Sequence, residues 1–344
     1  MTADSRPLLV ITMGDPAGVG PEIVVSALAR RRARARSRAL VIGDSRALRR
    51  AAELLGRGFP ARVVRSASEA DQHPGRICLL DLENADPLTI PLGQVSAAAG
   101  GAAADYIMRA AELARAGEVA GIVTAPINKE ALRLAGVPYP GHTEMLAALC
   151  EAREVAMMLV HGDMRVSHVT THVALRDACG LVTRPRVLSV IRLTNAALQR
   201  MGLPRPRIAV AGLNPHAGES GLFGDEEENE IAPAVSDAAK EAICAIGPLP
   251  PDTVFARHRA GEFDAVVAMT HDHGHIALKT VGFLARSGRG LRTSGVNVTL
   301  GLPIIRTSVD HGTAFDIAGK GVADPTSMVQ AIHLAAQMAQ GQRG

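Results

Sequence analysis

The sequence predicts an α/β fold, and three observations predict it. Short apolar runs rich in β-formers alternate with helix-period segments throughout the chain. Loops carrying His, Asp, Lys and Asn follow the apolar runs, where open α/β sheets gather their ligands. The 344 residues include 47% hydrophobic and 21% charged side chains, a globular composition at a length suited to two domains or one large α/β unit.

The elements follow in order. Leu8–Met13 is an apolar run expected as a buried strand; Gly14–Glu22 is a glycine-rich turn, and Ile23–Arg30 is the helix it opens. The arginine-rich stretch Arg30–Arg38 is expected as a solvated helix end and surface loop. No aromatic interleaves the arginines, and a strand-like run, Ala39–Ile42, follows. Asp44 is placed to cap a helix running through Leu55. Ala97–Ala116 is expected as a long alanine-rich helix and Ala120–Thr124 as a buried strand. Further strands are expected at Ala156–Val160, Val166–Thr171, Arg207–Ala211 and Asp264–Met269. Helices are expected at Arg184–Met201, at about Glu230–Ala245 and at about Asp324–Ala339. Thr124–Lys129, Thr171–Asp177, Gly212–Gly221 and Thr270–Lys279 remain as post-strand loops, expected to converge on one cleft.

Composition narrows the function. Aromatic residues make up 2% and Trp is absent, which counts against a protein that stacks single-stranded bases, and a net charge of +3 gives no nucleic-acid field. The cysteines (Cys78, Cys150, Cys179, Cys244) are widely spaced with no C-x-x-C pair, so they are expected as small buried hydrophobes in a reducing compartment. The first apolar stretch, Pro7–Met13, is too short for a membrane span and lacks a signal peptide's layout. The expectation is a cytoplasmic protein that binds neither membrane nor nucleic acid.

Histidine carries the strongest chemical signal. His168 and His172 are expected on one face of a strand, His216 follows another strand, and His271, His273 and His275 cluster in one segment. Three such His-bearing segments beside carboxylates point to a first-row metal ion with a position left for substrate. The H-x-H-x-H run also admits a different class, a zinc-dependent hydrolase, although metallo-hydrolase motifs of that kind place their Asp and last His at another offset.

The turn Gly14-Asp15-Pro16-Ala17-Gly18-Val19-Gly20-Pro21-Glu22 and the segment Asp310–Gly321 together resemble the β-decarboxylating dehydrogenases, the isopropylmalate and isocitrate dehydrogenases. In those enzymes the second segment holds the adenosine end of a nicotinamide cofactor. The resemblance implies cofactor contacts at Gly312, Thr313, Asp316 and Gly319, and NAD over NADP because Asp316 is acidic.

A longer series of signatures is similar to the 4-hydroxythreonine-4-phosphate dehydrogenase family. It comprises Gly14–Gly18, Thr124–Lys129, Gly141-His142-Thr143-Glu144, Gly212–Gly218, Gly247–Thr253 and Val296–Thr313. That resemblance implies metal ligands at His172, His216 and His271, with Zn2+ foremost and Mg2+, Mn2+ or Co2+ as alternatives. It implies substrate contacts at His142, Thr143, Lys279, Asn297 and Arg306, and a homodimer with the metal site at the interface. The implied fold is two α/β domains flanking a cleft, isocitrate/isopropylmalate dehydrogenase-like. Residues 1–129 with 285–344 would form the cofactor side, and 130–284 the substrate, metal and dimerisation side. Lys279, Asp252 and Asp272 are the candidate catalytic groups, the two aspartates as orienters of histidine or as proton acceptors. Gly274-His275-Ile276 resembles a sister branch acting on 4-phospho-D-threonate or 4-phospho-D-erythronate instead of 4-phosphohydroxy-L-threonine. His273 and an additional loop, Leu284–Ser294, fit neither branch. The implied reaction is NAD-dependent, metal-dependent oxidation with decarboxylation of a small phosphorylated hydroxy acid.

Overall fold

A computed structural model of the chain describes residues 5–58, 60–70, 77–282, 284–285, 291–292 and 294–341. In chain order the elements begin with β1 (Leu8–Thr12), α1 (Gly20–Ala29), β2 (Arg38–Gly43), α2 (Ser45–Leu54), β3 (Ala61–Val63) and β4 (Ile77–Asp81). There follow α3 (Ala97–Arg115), β5 (Gly121–Thr124), α4 (Lys129–Leu134), α5 (His142–Leu149), β6 (Ala156–His161), β7 (Met164–His168), α6 (Leu175–Leu181) and α7 (Arg184–Arg200). Next come β8 (Ile208–Ala211), α8 (Ala232–Lys240), β9 (Ala245–Leu249), α9 (Val254–Arg259), β10 (Ala265–Ala268) and α10 (His271–Gly282). The chain closes with β11 (Leu284–Ala285), β12 (Leu291–Arg292), β13 (Val296–Leu300), β14 (Arg306–Val309) and α11 (Thr326–Gly341).

The chain divides into two compact units, Met1–Arg153 with Leu302–Gly344, and Glu154–Gly301. Both boundaries lie later than residues 129 and 285. Helices α4 and α5 pack on α3, and a Cβ added at Gly100 of α3 would lie 2.1 Å from the Ala131 carbonyl oxygen, so α3 and α4 meet backbone to backbone. At the return, β13 pairs antiparallel with β6, which holds the chain in the second unit through Leu300.

In the first unit the strands run β3-β4-β2-β1-β5-β14, every pair parallel. All five residues of β1 are buried, the pattern of a parallel strand covered on both faces. Asp44 caps α2 by accepting from the Arg46 and Ala47 amides at 2.8 and 3.4 Å. Arg30, Arg31, Arg32 and Arg36 are exposed, as a solvated helix end requires.

In the second unit the order is β13-β6-β7-β10-β8-β9, antiparallel through β13, β6 and β7 and parallel from β7 onward. Three expectations are corrected here. The strand foreseen to reach Thr171 and His172 ends at His168, so His168 and His172 do not share a strand face. Of Thr270–Lys279, foreseen as a loop, all but Thr270 belongs to α10. The helix foreseen to reach Ala245 ends at Lys240, and Ala245 opens β9.

Cys78 and Cys150 are buried as foreseen, whereas Cys179 is half-buried and Cys244 exposed; no cysteine forms a disulfide among the described residues. Of the additional loop Leu284–Ser294, the pairing of β11 with β12 and Ser294 fall within the described residues, and the rest lies outside them. Among the described residues no helix is long and apolar enough to cross a membrane.

Candidate active site

In the second unit, α10 begins directly after β10 and carries most of the histidines. Residues four apart share a helix face, so His271, His275 and Lys279 line one side while His273 turns to another. The H-x-H-x-H run therefore does not aim three imidazoles at one point, and the feature that suggested a hydrolase dissolves on the helix. The His271 and His275 rings stack with centroids 3.6 Å apart, tilted by 16°. His275 Nδ1 lies 3.0 Å from the His271 carbonyl oxygen, which can only accept, so that nitrogen carries the proton. His271 Nδ1 lies 2.7 Å from Asp272 Oδ1. A proton donated there leaves Nε2 with its lone pair, the arrangement by which a carboxylate prepares a histidine for a metal. The same hydrogen bond holds the Asp272 carboxyl below the usual carboxylate range.

His172 sits beyond the end of β7, its ring centroid 5.7 Å from that of His271. Two imidazoles sharing an ion at nitrogen–metal distances of about 2.1 Å place their centroids roughly 5 Å apart, so this pair fits a shared divalent ion. The pair lines a cavity of about 200 Å³ with Thr170, Thr171, Thr270 and Asp272. His216 lines another, of about 670 Å³, with Asp252, Phe255, Asp272 and His273. Asp272 faces both. No three His, Cys, Asp or Glu side chains among the described residues come close enough to hold a metal ion by themselves. His172 and His271 thus share one cavity, and His216 lines the other.

His168 closes the cluster from beneath. It is fully buried, its centroid is 4.8 Å from His275, and its Nε2 has no hydrogen-bond partner among the described residues. Burial, with the neighbouring His275, His271 and His172, pushes it down to about 3. Burial and His271 likewise bring His275 down to about 4. His273 is half-buried and lowered by burial. His258 is a structural histidine: its Nδ1 lies 2.9 Å from the Phe263 carbonyl and its Nε2 accepts from the Arg165 amide at 3.0 Å. Asn297 on β13 keeps a buried Oδ1 with no hydrogen-bond partner among the described residues.

The turn carrying His216 is left-handed. His216, Ala217, Glu219 and Ser220 have φ of 54°, 54°, 45° and 58°, with Gly218 and Gly221 at 79° and 85° between and after them. Each non-glycine residue in that region costs on the order of 1 kcal/mol, so the turn stores roughly 4 kcal/mol that its surroundings must offset. The buried Glu227 carboxylate sits in its crook. Oε1 accepts from the Leu213 and Asn214 amides at 2.7 and 2.8 Å, and Oε2 accepts from Asn214 Nδ2 at 2.9 Å. Charge-assisted bonds of this kind contribute about 1.5–3 kcal/mol each, enough to hold the strained turn.

In the first unit, His142 opens α5 with Thr143 beside it, and Arg306 opens β14. Arg306 is 3% exposed and its Nη2 donates to Thr124 Oγ1 at 2.8 Å. Burial brings it down to about 10, against an opposing pull from Glu144. Burial and then the Arg306 charge hold His142 well below its ordinary value, and His142 Nε2 has no hydrogen-bond partner among the described residues. This is a sheltered, cationic corner suited to an anionic group.

The glycine-rich turn and the segment Asp310–Gly321 meet directly. The Val19 amide donates to the Thr313 carbonyl at 3.0 Å, and a Cβ at Gly18 would lie 2.9 Å from Thr313 Cβ. The buried Glu22 carboxylate accepts from the Gly319 amide at 2.7 Å and from the Gly321 amide at 2.9 Å. Gly312, Thr313, Asp316 and Gly319 therefore lie on one fastened loop. Asp316 is exposed.

Sequence reasoning missed both carboxylate clamps. Glu22 was visible as the last residue of the glycine-rich motif, whereas Glu227 lay in the acidic run Asp225–Glu228, which has the look of a solvated face.

The fold and these fastened loops define an α/β dehydrogenase, and the comparison with known proteins makes the class specific. Residues 35–335 match the family model described as pyridoxal phosphate biosynthetic protein PdxA, and the chain belongs to that family. A D-threonate 4-phosphate dehydrogenase of Cupriavidus necator is 48% identical, with 98% of each chain covered. The crystal structure of a 4-hydroxythreonine-4-phosphate dehydrogenase from Burkholderia phymatum matches with a TM-score of 0.85 and 50% identity, over 97% of this chain and 99% of that one. One from Klebsiella pneumoniae matches with a TM-score of 0.87 and 46% identity, over 98% and 100%.

Proposed function

We propose that this protein oxidises a 4-phosphorylated 3-hydroxy four-carbon acid with NAD and a divalent metal ion, and that the β-keto acid formed loses CO2. The relatives named for D-threonate 4-phosphate and for 4-hydroxythreonine-4-phosphate support the substrate class. The Gly274-His275-Ile276 element favours 4-phospho-D-threonate or its erythronate epimer over 4-phosphohydroxy-L-threonine. The observation that carries the reading is the His172–His271 pair, with Asp272 fixing the His271 tautomer. Because one chain supplies two of the three histidines in one cavity, we assign the third position to His216 of the partner subunit, in a homodimer.

An ion held by these histidines (Zn2+ foremost, Mg2+, Mn2+ or Co2+ otherwise) would supply Lewis acidity at the substrate hydroxyl, and NAD would supply the hydride acceptor. The residues of the chain do the rest. Asp272 holds His271 in its coordinating tautomer, and Asp252 faces the neighbouring cavity as orienter or proton acceptor. Lys279, one helix face along from His271 and His275, supplies positive charge to the carboxylate and to the enolate left after CO2 departs. His142, Thr143 and Arg306 bind the phosphate, Arg306 through a fork already sheltered from water, and Asn297 offers its amide to a hydroxyl. Gly312, Thr313, Asp316 and Gly319 hold the adenosine end of NAD. The reading takes a reducing, cytoplasmic setting, with which four free cysteines are compatible.

The test is a panel of phosphorylated four-carbon hydroxy acids, read by the absorbance of reduced cofactor with NAD and with NADP, before and after chelation and metal restoration. Activity should appear with a 4-phosphorylated acid and NAD, vanish on chelation and return with Zn2+ or a neighbouring ion. Full turnover in metal-free protein, or no reduction with any phosphorylated acid, overturns the proposal.

A further inference from the structure

The segment His216–Gly221 is six consecutive residues in the left-handed region, four of them not glycine. A chain left to itself does not choose this path, because the Cβ of each such residue crowds the next carbonyl. Strain of that kind persists where surrounding structure over-determines it, and it concentrates where a side chain has to be delivered at a set angle. Among the described residues the turn has bonds of its own, including those from the Ala217 amide to the Asn214 carbonyl and from the Phe223 amide to the Gly218 carbonyl, both 3.1 Å. Asn214 Nδ2 also donates to Glu226 Oε2 at 2.7 Å, and the buried group in the crook is Glu227. Glu227 is 3% exposed and opens a π-helical turn, Glu227–Ile231, a form that itself recurs at functional positions. Its two oxygens take the amides of Leu213 and Asn214 and the side-chain amide of Asn214, the residues that lead into the turn. The turn is also shaped to admit it: a Cβ at Gly212 would lie 3.0 Å from Oε1, and one at Gly218 2.8 Å from Oε2.

We infer that Glu227 is a positioning residue for His216: it locks the left-handed turn so that the imidazole is presented to the metal without reorganisation. It touches neither metal nor substrate itself. The inference rests on the reading of His216 as a ligand and adds the group that aims it. Outer groups that orient ligands typically govern about 10- to 100-fold in metal affinity, which sets the expected size.

The experiment titrates chelator-stripped, full-length protein with Co2+ and follows the visible absorption, beside the thermal midpoint of the metal-free protein. Glu227→Gln keeps shape and one acceptor but sets an NH2 group against N–H donors. It should weaken Co2+ binding about 10- to 100-fold and alter the absorption band. Gly218→Ala, which presses on the same carboxylate from the turn side, should do likewise and serves if Glu227→Gln folds poorly. Glu228→Gln, an exposed neighbour, should bind as the unaltered protein does. In a His216→Ala background, Glu227→Gln should cost no more than about a further twofold, because a residue acting only through His216 has nothing left to aim. Losses that multiply in the double variant, or wild-type binding by both Glu227→Gln and Gly218→Ala while His216→Ala is impaired, would overturn the inference and leave the metal reading standing. Unimpaired binding by His216→Ala would overturn both.

Discussion

Gly274 lies on the buried side of α10, against the end of β7, and replacing it by alanine sets two effects against each other. An unconstrained helix gains about 1 kcal/mol from Gly→Ala. Here the new methyl would lie 2.3 Å from His168 Nε2 and 2.7 Å from Val166 Cγ1, where ordinary contacts are about 3.5 Å. Neither neighbour can retreat easily. Both are fully buried, His168 Nδ1 is tied to the Met157 carbonyl at 3.3 Å, and its ring is backed by His275 at 4.8 Å. Overpacking costs about 1–3 kcal/mol, and with two buried neighbours this close the upper part of that range applies, so the net loss should approach about 2 kcal/mol. Urea unfolding gives the measurement: Gly274→Ala should lower the midpoint with an unchanged slope. The matched control is Gly180→Ala in α6, where an added methyl meets nothing within 4 Å and stability should hold or rise. If Gly274→Ala is as stable as the unaltered protein while Gly180→Ala behaves as stated, the packing of His168 against α10 is not as described.

Three further outcomes follow from groups in the first unit. Asp15 is fully buried and its carboxyl is pushed up to about 6, by burial against the opposing amides of Ala17 and Asn128. A raised acid favours the fold when protonated, an advantage complete below about pH 4 and lost as pH climbs through 6; Asp15→Asn should therefore stabilise by about 3 kcal/mol more at pH 8 than at pH 4, and an equal effect at both would refute this. Glu22→Gln should spoil at least one of two amide bonds to the loop at Gly319–Gly321 and raise KM for NAD about tenfold with kcat little changed, so a wild-type KM would show that the loop needs no clamp. Asp316→Ala should weaken the preference for NAD and Asp316→Lys should partly reverse it, since a carboxylate repels the 2′-phosphate of NADP; equal use of both cofactors by the unaltered enzyme would mean the loop is misassigned.

What the sequence made legible was whatever rests on local pattern. β1 stands out because both faces are buried and every residue is apolar, and the Asp44 cap because Asp before a helix has one strong use. α10 was hidden because its first turn, His271-Asp272-His273-Gly274-His275, lacks an apolar stripe; tertiary packing on β6 and β7 overrides that local signal. β9 was hidden by Gly247 and Pro248, which punctuate loops far more often than strands. At the site, His172 and His271 come together although they are 99 positions apart in sequence, which the resemblance foresaw and no periodicity could. The left-handed turn was illegible because His, Ala, Glu and Ser carry no preference for that region. Its cause is the three-dimensional placement of one carboxylate, and a run of acids does not announce which member is buried.

The bond between Glu22 and Gly321 joins residues 299 positions apart, and β14 takes its place beside β5 from a similarly distant part of the chain. During synthesis, therefore, β1 to β5 leave the ribosome with one sheet position still vacant and the loop that Glu22 fastens not yet made. The continuous unit, Glu154–Gly301, is completed first. Long-range closure of this kind is paid in search time, and until it happens the exposed flank of β5 is an unpaired parallel edge. A chain that stops before β14 would accordingly lack the partner that covers β5 and be prone to self-association. Release of the last forty or so residues becomes the step that converts a vulnerable intermediate into a competent enzyme.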